Sequence, residues 1–167
     1  YVRLTFKAPA GGADHSDKDN EVKASIMFPD DKVTIGSQIG CWAACHKDAR
    51  TMPGADPKKT KYVSPGSMEL MQWRSGGGGK ALDGMVTDKR NMESGKAGVT
   101  AEGAKSGDTY TVTFTRKLSG GVHLVPGKAV PFGVAIHADN AGGRFHHVSF
   151  GHTIGLGVDG DVKAVKQ

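Results

Sequence analysis

Apolar and polar residues alternate along much of the chain, and this period of two restricts the fold more than any other feature. In the clearest stretch, residues 109–116, Tyr110, Val112 and Phe114 alternate with threonines, as in a strand with one buried face and one face in water. Two earlier stretches repeat the pattern and also predict half-buried strands: Val2, Leu4 and Phe6, then Val22, Ala24, Ile26 and Phe28 before a turn at Pro29.

Two later stretches predict further strands. Ala129–His137 is almost continuously apolar and lies between turn-forming residues at 126–127 and 139–143, which indicates a central strand or a hairpin arm. The last long strand is predicted over Arg144–Leu156. A turn and a short final strand are predicted over Val158–Val162.

The middle of the chain departs from this pattern. A short helix or helical turn is predicted over Gly40–Arg50, and a helix over Ser67–Arg74, where an N-cap candidate precedes apolar residues at helical spacing. Gly76–Gly79 matches no phosphate-binding fingerprint and is predicted to be a loop. Because strands outnumber helices, we predict a mainly β fold, an antiparallel β-sandwich with short helical insertions. The length of 167 residues favours one domain over residues 1–167.

The two cysteines of the chain, Cys41 and Cys45, are followed directly by His46. This C-x-x-x-C-H arrangement has one spacer residue more than the signature of covalent haem attachment, in which two thiols form thioethers and the histidine ligates the iron. On a helix the two thiols would lie at i and i+4, about 5–6 Å apart at Cβ and within reach of one macrocycle. We therefore predict one covalent haem c on Cys41 and Cys45, with His46 as an axial ligand of the iron.

Three other interpretations of the motif stay open. A Cys41–Cys45 disulfide would close a very short loop, which the geometry of the bridge allows only in a suitable turn. A zinc site would need further ligands, and no second cysteine or histidine cluster of suitable spacing supplies them. A reactive thiol pair would lack the usual thioredoxin-like surroundings.

Strand alternation ranks the candidates for a second axial ligand. In the predicted strand over 144–156, His146 shares a face with Val148, Phe150, Ile154 and Leu156, whereas His147 lies on the more polar face. An imidazole among aliphatic side chains is costly unless something satisfies it, so His146 is the predicted second ligand and His147 the alternative. The remaining candidates are His15, His123, His137, His152, which is expected to be partly exposed, and Met52.

Several segments together resemble a known family. Gly40–Asp48, Met52-Pro53, Lys61–Val63 and Arg144–Phe150 resemble the haem-binding domain typified by the gamma subunit of ethylbenzene dehydrogenase. The chain looks most like the covalent c-type variant at the C-terminus of multihaem cytochromes of the quinol-dehydrogenase type. The resemblance implies a β-sandwich that holds one haem between its sheets, on the periplasmic side of a bacterial membrane.

The resemblance also bears on the ligands and the function. By position, His46 falls where that family has a methionine ligand to haem b, and His146 where it has a lysine. Two imidazoles would saturate the iron, which suits electron transfer. We predict a c-type cytochrome domain, not an enzyme, in a periplasmic respiratory or photosynthetic chain. The alternatives are a haem-based gas sensor or peroxidase-like site with an open sixth position, and a haem-free partner-binding sandwich with a Cys41–Cys45 disulfide.

Charge and hydropathy restrict the partners. The net charge is +5, and the densest basic group, Lys58–Lys61, is interpreted as a solvated loop and not as a nucleic-acid patch. The positive excess would steer encounters with an acidic electron acceptor, and the resemblance adds a quinol-oxidising multihaem domain as a redox partner. No apolar run is long enough to span a bilayer. We expect a mature fragment or excised domain, tethered to the membrane only through a region before Tyr1.

Overall fold

The structure, a computed structural model, describes residues 1–7, 21–33, 66–87, 90–122, 124–137 and 147–165. The predicted helical turn at Gly40–Arg50 lies outside these residues. Within them, Gly76–Gly78 forms one 3₁₀ turn where a loop was predicted. The strands are β1 (Val2–Lys7), β2 (Lys23–Pro29), β3 (Met68–Arg74), β4 (Ala81–Val86), β5 (Arg90–Asn91), β6 (Thr100–Ser106), β7 (Thr109–Thr115), β8 (Ala129–His137), β9 (His147–Val148), β10 (His152–Gly155) and β11 (Val162–Lys163).

These strands form two sheets. The smaller sheet has the order β1-β7-β6, and the larger has the order β11-β10-β8-β2-β3-β4-β5, with β9 also paired to β8. Neighbouring strands are antiparallel, apart from the parallel pair β10–β11. The prediction of a mainly β, antiparallel fold is confirmed, and β8 is a central strand as expected.

The core between the two sheets follows the alternation in the sequence. On β7, Tyr110, Val112 and Phe114 are buried, and the threonines between them are more exposed. Phe6 of β1 stacks on Tyr110 with ring centroids 5.7 Å apart, and Trp73 of β3 lies 6.2 Å from the same ring. The predicted half-buried strands β1 and β7 are therefore confirmed.

The larger sheet is also buried on its opposite face. Apolar side chains from β2, β3, β4 and β8 meet there, and none of the described strands of the smaller sheet contributes to them. β2 is therefore buried on both faces, and the prediction that it is half-buried is wrong. We call the following residues the outer cluster: Met27, Val33, Met68, Leu70, Val86 and Ala135, with Met92 and Val148 packed against them.

The predicted helix at Ser67–Arg74 is wrong, because Met68–Arg74 is the strand β3. β3 pairs with β2 on one side and with β4 on the other. Its even-numbered residue Leu70 lies in the outer cluster, and its odd-numbered neighbour Met71 lies in the core between the sheets. Burial on both faces removes the period of two, so adjacent apolar residues imitate helical spacing.

A buried contact between a carboxyl and a guanidinium lies beside the core between the sheets. Glu69 Oε1 lies 2.8 Å from Arg116 Nη1, and both side chains are almost fully buried. Glu69 Oε2 accepts a 3.0 Å hydrogen bond from the Val122 N–H, and Arg116 Nη2 donates to the carbonyls of Gly120 and Val122. A Cβ on Gly121 would lie 2.0 Å from Glu69 Oε2, so only glycine fits there. Burial raises the pKa of Glu69 to about 7, against the lowering effect of Arg116 and of the Val122 hydrogen bond.

Candidate functional site

The structure describes only part of the predicted haem site. Three of the candidate histidines lie in described strands: His137, His147 and His152. The predicted attachment and ligand residues lie outside the described residues, together with three lesser candidates: Cys41, Cys45, His46 and His146, then His15, His123 and Met52.

The described residues on either side of 34–65, the range that contains the C-x-x-x-C-H motif, are hydrogen-bonded to each other between β2 and β3; we call this contact the clasp. Asp30 Oδ2 accepts hydrogen bonds from the Ser67 backbone N–H at 2.8 Å and from its hydroxyl at 2.9 Å. Asp30 Oδ1 accepts from the Lys32 N–H at 2.9 Å. Gly66 has a φ of 100°, and a Cβ there would lie 2.6 Å from Asp30 Oδ1 and 2.8 Å from Val33 Cγ2. One carboxylate and one glycine thus hold together the described residues that precede and follow this range.

Described residues that flank both predicted haem segments belong to the outer cluster or pack against it. Val33, directly before residue 34, belongs to the cluster, as does the fully buried Met68 at the start of β3. Residues 138–146 connect β8 to β9, where Val148 lies opposite Ala135 and packs against the same cluster. The described residues that flank the two segments, Val33 and Met68 for one and Val148 for the other, therefore lie on one face of the larger sheet. The two segments leave the sheet at opposite ends of β2, because Met68 pairs with Pro29 and His137 pairs with Lys23.

A β-bulge interrupts the strand that was predicted over Arg144–Leu156. Val148 pairs with Ala135, and His152 pairs with Phe132, so residues 149–151 face only residues 133 and 134, one residue fewer. Ser149 stabilises this bulge, because its N–H donates to the Val134 carbonyl at 2.8 Å and its Oγ accepts from the Val134 N–H at 2.9 Å. The predicted continuous strand is therefore wrong, and β9 and β10 are separate.

The extra residue reverses which face the side chains occupy. Val148 lies in the outer cluster, whereas Ile154, opposite Val130, packs in the core between the sheets. Phe150 is 73% exposed. The prediction that Val148, Phe150, Ile154 and Leu156 share one face is therefore wrong. Side chains of β9 that point to the same side as Val148 face the outer cluster.

The three described histidines differ in their surroundings. His147 is exposed and pairs with Ile136, whose face is opposite to that of Val148, as the alternation predicted. His152 is exposed, as expected, with its ring centroid 6.1 Å from that of Phe132. His137 is half-buried and comes two residues after Ala135, so it lies on the face of the outer cluster. The sequence ranking did not single out His137, because the almost continuously apolar sequence of β8 does not show which residues lie on which face of the sheet.

Metal-ligand groups and membrane helices are not seen in the described part of the chain. Among those residues, no three His, Cys, Asp or Glu side chains gather where they could hold a metal ion. None of the described helical residues forms a helix that is long and apolar enough to cross a membrane.

Comparison with known proteins gives two similar sequences, while no protein-family model matches the chain. A protein named cytochrome c-552 from Stutzerimonas stutzeri is 51% identical over 178 residues, which covers 100% of this chain and 61% of that protein. A protein named cytochrome c-551 from Rhodocyclus tenuis is 52% identical over 167 residues, which covers 99% of this chain and 63% of that protein. The chain thus spans about three fifths of the length of these curated relatives.

Proposed function

We propose that the chain is the electron-transfer part of a c-type cytochrome, carries one covalently attached haem c and is not itself an enzyme. The observation that carries this proposal is the identity of 51% to cytochrome c-552 across the whole chain. The residue chemistry agrees with it, because two thiols followed by an imidazole form a donor set suited to thioether attachment and iron ligation.

Specific residues have separate roles in this proposal. Cys41 and Cys45 hold the haem, and His46 ligates the iron from one side. His146 is the second axial ligand, with His147 as the alternative. The bound haem supplies a one-electron redox centre, and two imidazole ligands would leave it no open position for a substrate.

The outer cluster supports a position for the haem. Its members Met27, Met68 and Val86 are almost fully buried and wholly apolar. Val33 and Val148, which lie next to or near the two predicted haem segments in the sequence, pack in the same cluster. Methionine side chains are flexible and polarisable and adapt to a flat aromatic surface. The haem would therefore pack on the face of the larger sheet that is opposite to the smaller sheet. The resemblance implies a haem between the sheets instead, and that placement stays a prediction.

The strand register favours His146 over His147 as the second ligand. Residues two apart in a strand share a face, so an extension of β9 (His147–Val148) by one residue would place His146 on the side of Val148 and the outer cluster. His147 is exposed on the other side, opposite Ile136. His137, on the cluster face of the neighbouring strand, is the next candidate.

Partners and location follow from the same proposal. An electron carrier needs redox partner proteins, and a net charge of +5 favours an acidic electron acceptor. A quinol-oxidising multihaem domain is the donor that the family resemblance implies, and the periplasm is the corresponding compartment. No nucleic-acid partner is proposed.

Optical spectra of the purified holoprotein test the proposal. We expect a six-coordinate, low-spin haem in both oxidation states that does not react with carbon monoxide. Ready binding of carbon monoxide would contradict two protein ligands and support a gas sensor or a peroxidase-like site. A protein purified without haem bands would support a partner-binding sandwich with a Cys41–Cys45 disulfide.

A further inference from the structure

An apolar groove of about 690 Å³ opens between the two sheets at one side of the fold. Core residues, including Phe28, Met71 and Phe114, line its interior. The two strands beside it, β1 and β11, are each the last strand of their sheet. Along this side the described residues therefore leave the core between the sheets accessible.

Exposed apolar side chains are concentrated around this groove. The described residues include six exposed large apolar side chains, and four of them line the groove. Tyr1 is 63%, Leu118 51%, Val162 47% and Val165 83% exposed. Scattered exposed apolar residues need no explanation, but a cluster around an apolar interior indicates an interaction surface.

The first and the last described residues of the chain lie at the rim of the groove. Tyr1 and Val165 line it from opposite sheets. The similar cytochromes are longer, since this chain covers 61% and 63% of them. Any region joined to either end would therefore start at the groove, where a tethered segment has a high effective concentration.

The two edge strands also present backbone groups that can pair with an added strand. Addition of an extended segment to a sheet edge is a general mode of recognition, in which main-chain hydrogen bonds give affinity and side-chain pockets give specificity. Arg3 and Lys7 on β1 are exposed, and such charges on an edge strand disfavour indiscriminate pairing. A segment tethered at the rim is the occupant that these features fit.

We propose that the groove is the docking face for the additional region of the longer polypeptide, which covers it with an extended apolar segment paired to β1 or β11. This docking is independent of the haem. It brings the additional region against the side of the fold where the sheets are open and buries the apolar rim.

Hydrogen exchange tests this docking in the native polypeptide that contains the chain, with the 167-residue chain as the reference. Amides of Val2–Lys7 or Val162–Ala164 should exchange at least about tenfold more slowly in the longer polypeptide. Leu118→Lys in the longer polypeptide should restore fast exchange. Val125→Lys is the matched control, because Val125 is in the same loop region and 42% exposed but does not line the groove.

Three results would overturn the proposal. One is equal exchange of both edge strands in the two polypeptides, and another is a native polypeptide no longer than this chain. The third is a concentration-dependent dimer of the 167-residue chain that Leu118→Lys abolishes, because the occupant would then be a second copy. Haem content should be the same in all these variants, which separates this test from that of the proposed function.

Discussion

The two faces of the larger sheet are both buried, but in different ways. The face toward the smaller sheet packs strand against strand, with aromatic and branched side chains such as Ile26, Phe114 and Tyr110. The opposite face has the outer cluster, which includes Met27 and Met68 and receives no described residue of the smaller sheet. The first face is a structural core, and the second face contains Val33, Met68 and Val148, the described residues that flank both predicted haem segments.

Burial of a strand on both faces indicates that something other than the second sheet covers its outer face. A sheet in a simple two-layer sandwich has one face in water, so a strand such as β2 that is buried on both faces requires a second cover. In the proposed function the polypeptide segments that hold the haem supply that cover. The following predictions test this division, starting with the largest expected effect.

Removal of both attachment thiols should abolish covalent haem. In Cys41→Ala/Cys45→Ala no thioether can form, so the denatured polypeptide should lose haem completely, as measured by haem staining of denaturing gels. The fold of the smaller sheet should persist, because its core lies on the other face. Retention of haem on the denatured double variant would contradict the assignment.

Replacement of the second axial ligand should change the spin state of the iron. His146→Ala should convert the optical spectrum from low spin to high spin, while His147→Ala, at an exposed site, should leave it nearly unchanged. The reverse result would mean that the strand register near β9 is misread. Conversion by His137→Ala alone would move the ligand to β8.

Two methionines on β3 provide a matched test of the two faces. Met68 and Met71 are both 0% exposed. Met68 lies in the outer cluster, and Met71 lies in the core between the sheets. Met68→Ala and Met71→Ala should each lower the free energy of unfolding by about 2–5 kcal/mol. Only Met68→Ala should shift the haem absorption bands or the redox potential. A shift with Met71→Ala instead would place the haem between the sheets.

A buried carboxyl on the face toward the smaller sheet should make the free energy of unfolding depend on pH. Burial raises the pKa of Glu69 to about 7 in the folded protein, from 4.5 for an ordinary carboxyl. Between these pH values the folded state binds more protons than the unfolded state, so the free energy of unfolding falls as pH rises. The loss is at most about 3 kcal/mol. Denaturant unfolding from pH 4.5 to 7.5 measures it.

Glutamine variants isolate this contribution. Glu69→Gln should remove the decline of the unfolding free energy with pH, because the variant has no carboxyl to ionise at this buried site. Glu102→Gln on β6, at an exposed position, should keep the decline of the native chain. An identical slope in the native chain and Glu69→Gln would show that the buried carboxyl is already ionised over this range.

The sequence predicted the strands whose faces differ and failed where both faces are buried. Alternation located β1 and β7 correctly, since one side of each is more exposed. It misread β3 as a helix, because Leu70 and Met71 are adjacent and buried on opposite faces. Adjacent apolar residues, Ile26-Met27-Phe28 on β2 and Leu70-Met71 on β3, were the available signal for a second buried face.

The sequence offered a prediction for the chemistry of the candidate site but none for its position in the fold. The C-x-x-x-C-H motif indicated haem c, which agrees with the names of the two similar cytochromes. The face on which His146 would act depends on the bulge at Ser149, and no local residue pattern reveals a one-residue shift of register. The clasp of Asp30 and Ser67 joins residues far apart in sequence, so it too needed the fold.

The intact mass of the purified chain in denaturant tests the central claim most directly. Noncovalent cofactors dissociate under these conditions, whereas thioether bonds persist. Covalent attachment through Cys41 and Cys45 predicts the mass of the polypeptide plus one haem. A mass equal to that of the polypeptide alone, from protein expressed with an active haem-attachment system, would contradict it.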